Sequence, residues 1–487
     1  MASVVERRPG FSIEATENDP LFDDDGRPRR TGTWLTASAH IITAVIGSGV
    51  LSLPWCNAQL GWIAGPMALV LFSVVTTYSS SLLANCYRYP DRVTGTRNYI
   101  YSAVVKVHLG GTQSIFCGIA QYLNMVGTTI GYTITASISM VAIKRSHCFH
   151  SQGHKAGCHT SNNMFMIIFG VIQIVLSQIP SFAKLDGLSI VAAVMSFSYS
   201  LIGIGLAIAK IAGGNHPRTS ITGTSIGVDL TSSEKGWKAL QAIGDIAFAY
   251  SFSAVLVEIQ ARHKQLDDTL RSHPPEYRAM KKAINVGVSI TTLFYLSCGV
   301  LGYAAFGNLA PGNLLTGFGF YEPFWLIDIG NLCIAIHLIC AYQVFCQPFY
   351  DFVEKCCSDG WPKSALTAFF TKERLINIPF GGVYKFSFFR LIWRTTYVVI
   401  ITLIAMIFPL FNDVLALIGA ISFWPLTVHF PIEMHISKNK IGRFSMPWVG
   451  LRVLSGFCFL VSLAASIASI QGLVQSLDHY KPLHSVS

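Results

Sequence analysis

Apolar runs of about twenty residues or more, separated by short polar islands, fill the chain from Thr33 onward. Runs of this length cross a hydrocarbon core about 30 Å thick. They are apolar nearly all round, whereas a helix of a soluble protein carries a one-sided stripe. The pattern predicts eleven spanning helices, at 35–58, 62–84, 115–143, 163–180, 187–212, 237–259, 284–306, 324–349, 387–410, 412–436 and 447–475. The polar segment 1–33, with Asp23-Asp24-Asp25 and Arg27, Arg29 and Arg30, reads as a disordered cytosolic tail, and no cleavable signal peptide is visible.

Composition agrees: 52% of 487 residues are hydrophobic and 12% charged, about half the charged share of a soluble chain. The net charge of +10 suits nucleic acid or acidic partners only if it is spread over one surface, and it is not. With the amino terminus inside, the cytosolic tail, loops and flanks hold 25 Lys+Arg and the outer segments 8. The positive-inside rule therefore sets a cytosolic N-terminus and, after an odd number of spans, an extracellular C-terminus. Of twelve cysteines, Cys148 and Cys158 share the outer loop between spans three and four, where a disulfide is expected. The alternative is a zinc site with His147, His150, His154 and His159, which lacks a close Cys pair or regular His spacing.

Five spans, five more and one extra match carriers built from inverted repeats, whose binding sites lie at paired broken helices. The expected division is a first five-helix repeat over 34–212, an extracellular loop over 213–236 and a second repeat over 237–436. A cytosolic loop and eleventh helix follow over 437–475, then an extracellular tail over 476–487. Span one has an evident break at Gly47-Ser48-Gly49, followed by Pro54. Unwound backbone in lipid persists only where ligand, water or protein satisfies it. Its freed N–H groups suit a carboxylate, while a helix-packing notch explains the same small residues. The counterpart in span six, Gly244 to Phe252, gives a weaker signal, with one glycine and no proline.

Four segments carry a closer resemblance: Ile46-Gly47-Ser48-Gly49-Val50-Leu51-Ser52-Leu53-Pro54-Trp55, Gly244 to Tyr250, Gly317 to Asp328, and Ser422-Phe423-Trp424-Pro425-Leu426-Thr427. From about Thr33 to Pro482 the chain resembles the plant amino acid permeases of the amino acid/auxin permease superfamily. The resemblance implies an all-α integral membrane protein with a leucine-transporter-type five-plus-five inverted repeat and one extra helix. It further implies proton symport of neutral and acidic amino acids at the plasma membrane, with the proton as coupling ion and no other cofactor. Gly47, Ser48 and Gly49 then become the carboxylate site, while carbonyls around Phe248 to Ser251 face the ammonium, and Phe248, Tyr250 and Phe252 bound the substrate's side chain. The chain departs from the family pattern at Ala261 to Asp267, seven residues standing between Glu258-Ile259-Gln260 and Asp268-Thr269-Leu270.

Span three carries Gln121, Asn124, Thr128, Tyr132, Thr135 and Ser139 on one helical face. Such a stripe lines a cavity or seals against another helix, and Asn124 and Thr128 are its substrate-side candidates. Asp245 meets the substrate amine, gates, or stabilises its helix. Asp328 reads as structural, Glu258 and Glu433 as solvated at cytosolic ends, and Lys184 as an interfacial anchor. His40 and His337 fall at similar depth in the inner halves of spans one and eight, helices that the resemblance makes neighbours around an ion in sodium-coupled relatives. A histidine takes a proton near neutral pH, so the pair are candidates for proton coupling, with satisfied buried histidines as the alternative.

Nothing in the sequence forms a nucleophile or metal cluster for an enzyme, or a channel filter. The alternatives that remain are a lysine–histidine or auxin-type carrier of the same superfamily and a receptor that binds amino acids without moving them.

Overall fold

The computed structural model describes residues 33–153, 155–179, 186–214, 217–261, 276–318, 323–360, 371–372, 374–378 and 382–479. The tail 1–32, Lys184, His154, most of the Ala261–Asp267 segment, positions 319–322 of the Gly317–Asp328 motif and the end of the C-terminal tail lie outside them.

The chain begins with α1 (Trp34–Val45), started by a reciprocal cap between Thr33 and Thr36. Then come α2 (Gly49–Asn85), a two-residue hairpin pair β1 (Arg88–Tyr89) and β2 (Thr96–Arg97), α3 (Tyr101–Leu109), α4 (Gly111–Gln152), α5 (Asn162–Ser177) and α6 (Asp186–Ala212). The second half has α7 (Ser232–Ala249), α8 (Ser253–Ala261), α9 (Glu276–Phe306), α10 (Phe324–Gly360) and a hairpin of β3 (Arg374–Ile378) with β4 (Gly382–Phe386). It closes with α11 (Phe388–Ile407), α12 (Phe411–Ser422), a π-helical turn at Phe423–His429, α13 (Phe430–Lys438) and α14 (Met446–His479). Among the described residues, nine helical segments are long and apolar enough to cross a membrane, and Trp34–Val45 and Asn162–Ser177 are shorter apolar helices.

The helical run Gly49–Asn85 is two helices meeting at a kink at Gly61, φ +84°, between predicted spans one and two. A Cβ there would strike the backbone of Ile221 and Gly223, so only glycine fits this crossing. The polarity of the bundle is inverted. Gln121 and Asn124 are 1% and 2% exposed, while Leu123 between them is 60% exposed. Polar residues of α4 therefore face the interior, while Ile115, Ile119 and Leu123 face outward, as lipid requires.

We name the two ends by their chemistry. At the basic face, where α1 begins, Arg88 and Arg97 close on Glu276 through bonds of 2.6–3.1 Å. There too Arg390 and Arg394 hold Glu354, and Arg452 pairs with Glu433. Glu433, expected to be solvated, is thus bound across to the last helix. At the loop face, Cys148 and Cys158 are joined by a disulfide, and His147 lies 3.2 Å from Asp328. The segment 217–231 is anchored there by Tyr303, whose hydroxyl accepts from the Ser220 N–H at 2.9 Å. Asp229 accepts from the Ser225 N–H at 2.7 Å and the Asn308 amide at 2.9 Å. The same two donors, the backbone one first, hold its carboxyl below the usual range.

Candidate substrate site

Two helices are broken at mid-depth, and the breaks cross. The first separates α1 from α2 at Ile46, Gly47 and Ser48. Ser48 stands at the N-cap of α2 but makes no side-chain cap, and its buried Oγ has no hydrogen-bond partner among the described residues. The first N–H groups of α2 have no acceptor in their own helix, so this end offers donors and a positive dipole end. The second break separates α7 from α8 at Tyr250, Ser251 and Phe252. Its carbonyl at Tyr250 accepts one backbone bond, at 3.1 Å, which leaves it a lone pair, while Phe248 O takes the Ser251 N–H at 3.0 Å and also faces the Tyr250 N–H.

A small cavity lies between the breaks. The candidates Gly47, Ser48, Gly49, Thr128, Phe248 and Ser251 line it, together with Ala44, Val45, Tyr132 and Phe345. Ala44 and Val45 on α1 and Phe345 on α10 are lining residues that sequence reasoning missed, Phe345 being the large one. It is one aromatic in an apolar span, and no periodicity singles it out.

Four further candidates lie away from this lining. Asn124 donates to Ser422 Oγ at 2.9 Å, and Ser422 lies 3.4 Å from Ser251 Oγ. It therefore supports the second break from behind. Tyr250 is fully buried, with its hydroxyl 3.1 Å from Thr292 and its ring packed on Tyr295. Phe252 is likewise buried outside the cavity. Tyr250 and Phe252 therefore lie outside the cavity lining, because the unwound turn rotates them into the protein. Asp245 is one turn before the break and meets Cys56 of α2 rather than the cavity. Gly244 is also no part of the break. A Cβ there would press on the Ala416 carbonyl, and one at Gly419 on the Gly244 carbonyl, so the two glycines let α7 and α12 cross closely.

Gly49 answers to both readings of the first break. A Cβ there would come within 2.9 Å of Ala249 Cα, so the glycine that opens the helix also lets the breaks touch. At Gly47 the nearest atoms to a Cβ would be the Tyr132 hydroxyl at 3.3 Å and His337 Nε2 at 3.8 Å. The carbonyls ending α1 are covered by two phenols. Tyr199 donates to Gly47 O at 3.0 Å, and Tyr295 reaches both Val45 O and Ala249 O, the latter at 2.9 Å. Buried tyrosines with a polar tip are the signal that marks such positions.

His337 is fully buried against this break. Its Nδ1 lies 2.8 Å from the Ala192 carbonyl, which can only accept, so Nδ1 carries a proton. In the neutral ring, Nε2 is then an acceptor, and it has no hydrogen-bond partner among the described residues. His40 is half-buried on α1, seven residues or about 10 Å of helix from Gly47. The two histidines are therefore at different depths. Glu258 is also no solvated end group, since Gln121 bonds it at 2.8 Å.

A family model described as transmembrane amino acid transporter protein matches residues 30–475. Amino acid permease 6 of Arabidopsis thaliana is 60% identical over 474 residues, covering 97% of this chain and 96% of that protein. The chain belongs to the plant amino acid permease family. Amino acid permease 1 of the same organism is 59% identical with the same coverage. Lysine histidine transporter-like 1, also from Arabidopsis thaliana, is 29% identical over 92% of this chain and 90% of its own length, which separates this permease from that branch. The crystal structure of MhsT in complex with L-phenylalanine aligns with a TM-score of 0.52 at 11% identity, covering 90% of this chain and 100% of that one. At that identity the likeness extends to the permease's fold alone.

Proposed function

We propose that this permease is a proton-coupled symporter that imports neutral and acidic amino acids across the plasma membrane. It has eleven spans in two inverted repeats plus one, with the basic face and N-terminus in the cytosol and the loop face and C-terminus outside. The observation that carries this reading is one cavity receiving two helix breaks of opposite polarity. A zwitterion needs donors at one end and acceptors at the other. The start of α2 with Ser48 Oγ serves the carboxylate, and the Phe248 and Tyr250 carbonyls serve the ammonium. Thr128, Tyr132, Phe248 and Phe345 surround the side chain.

His337 supplies the coupling proton beside the carboxylate, because protonation at Nε2 turns an acceptor facing Gly47 into a charged donor. His40 passes the proton toward the cytosolic end of α1. The test is current and uptake in oocytes with an amino-acid panel at several pH values. Methyl esters and simple amines should compete poorly, and His337→Gln should flatten the pH dependence of apparent affinity. Effective competition by amines would sink the carboxylate site. Binding without uptake would leave a receptor.

A further inference from the structure

Asp245 has surroundings that the transport reading does not use. It is fully buried in α7, which lies among α2, α12 and α14. From α2 it meets the Cys56 thiol, 3.9 Å from Oδ2, a weak donor. Its Oδ1 has no hydrogen-bond partner among the described residues. From α12 comes Asp413, a like charge, already bonded by Gln241 and by Ser476 of α14 at 3.0 Å. The described charged side chain of α14, Arg452, is at the far end of that helix, on Glu433. On α7 itself Lys238 is seven residues outward. An ionised carboxylate in this place would be a buried charge with no counter-ion, which proteins avoid by keeping the proton.

We propose that Asp245 is a proton-loading site whose neutral form is required for the loop-face halves of the two broken helices to close. This rests on the symporter reading and adds a second titrating group to it. When those halves part, external water reaches the carboxylate and the ionised form is tolerated. A proton taken from hydronium then neutralises it, leaving water, and α2 and α7 can close at Cys56 and Asp245. The proton returns to water when the cavity one turn below, at Phe248 and Ser251, fills from the cytosolic side. Substrate does not touch Asp245, so the step sets the coupling and leaves recognition to the cavity.

Asp245→Asn keeps the shape and fixes the neutral state. Exchange of labelled for unlabelled amino acid should stay within about twofold of the normal protein, while proton current per amino acid and the pH dependence of net uptake fall at least fivefold. Asp245→Glu should retain part of both. Normal current and pH dependence in Asp245→Asn would overturn the proposal. A wild-type protein that moves no amino acid would instead overturn the transporter reading. Should Asp245→Asn fail to fold, infrared spectra of the isotope-labelled Asp413→Asn protein with bound substrate decide the matter. A neutral aspartic-acid carbonyl band at neutral pH supports the proposal, and its absence overturns it.

Discussion

Glu276 and Asp245 are both buried carboxylates, at 3% and 0% exposure, but two arginines grip the first, while among the described residues the second has a thiol as its hydrogen-bond partner. The basic face is held by charge, through three carboxylates each fastened to arginine from another part of the chain. The half of the molecule toward the loop face is held by backbone proximity, at Gly49 on Ala249 and Gly244 on Gly419. Charge pairs are strong only while buried and become replaceable once water enters. Close backbone contact needs no water and no counter-ion, but it tolerates neither bulk nor an unpaired charge.

The largest effect tests the charged side. Glu276→Gln leaves Arg88 and Arg97 buried without their anion, a loss of about 3–5 kcal/mol. Folded protein at the surface should drop sharply, measured by size-exclusion after heating, and a normal melting profile would show that the latch is not holding this face. Next, Gly49→Ala tests closure by contact. Overpacking at Ala249 costs about 1–3 kcal/mol, so folded protein should fall together with uptake. At Gly47 a Cβ meets only side chains, the tightest being the Tyr132 hydroxyl at 3.3 Å, so a small shift of that phenol accommodates Gly47→Ala, which should weaken substrate affinity at normal expression; equal loss of expression in both variants would erase the distinction.

Smaller still is Tyr295→Phe, which removes one shared hydrogen while Val45 O keeps the Gly47 N–H, a loss of about 1 kcal/mol. Exchange should slow without a change in surface level, and unaltered kinetics would show that the tie is idle. The smallest effect belongs to Asp229, whose folded carboxyl is held below its ordinary range by Ser225 and Asn308. A depressed carboxylate contributes stability that is present above its unfolded pKa of about 3.9 and is lost as pH falls through the folded value. Loop 217–231 should therefore resist trypsin at Arg218 equally at pH 7 and pH 5. Asp229→Asn should loosen it at both, and loosening of the normal protein at pH 5 would contradict the assignment.

The first break was legible because glycine flanking serine is a local signal that needs no partner. The second was only half legible. Tyr250-Ser251-Phe252 contains no residue that forbids a helix, and the turn is sustained by tertiary contacts, Tyr295 on Ala249 and Ser422 beside Ser251. The polar stripe of α4 could be read as interior, but not divided into cavity residues and supports, since that depends on what faces each turn. Glu433 and Glu258 were misread for the same reason. Sequence position shows an acid near a helix end, while its partners, Arg452 and Gln121, come from other helices.

Tyr295 has a last consequence. A phenol owns one hydrogen, and this one stands between acceptors on two different broken helices, Val45 and Ala249. Whichever segment moves, the hydroxyl can turn to the one that stays within reach, so displacement redirects the bond instead of severing it. The crossing of the two breaks is in that sense pinned by a bond that can change partner, where a pair of fixed bonds would have been a weld.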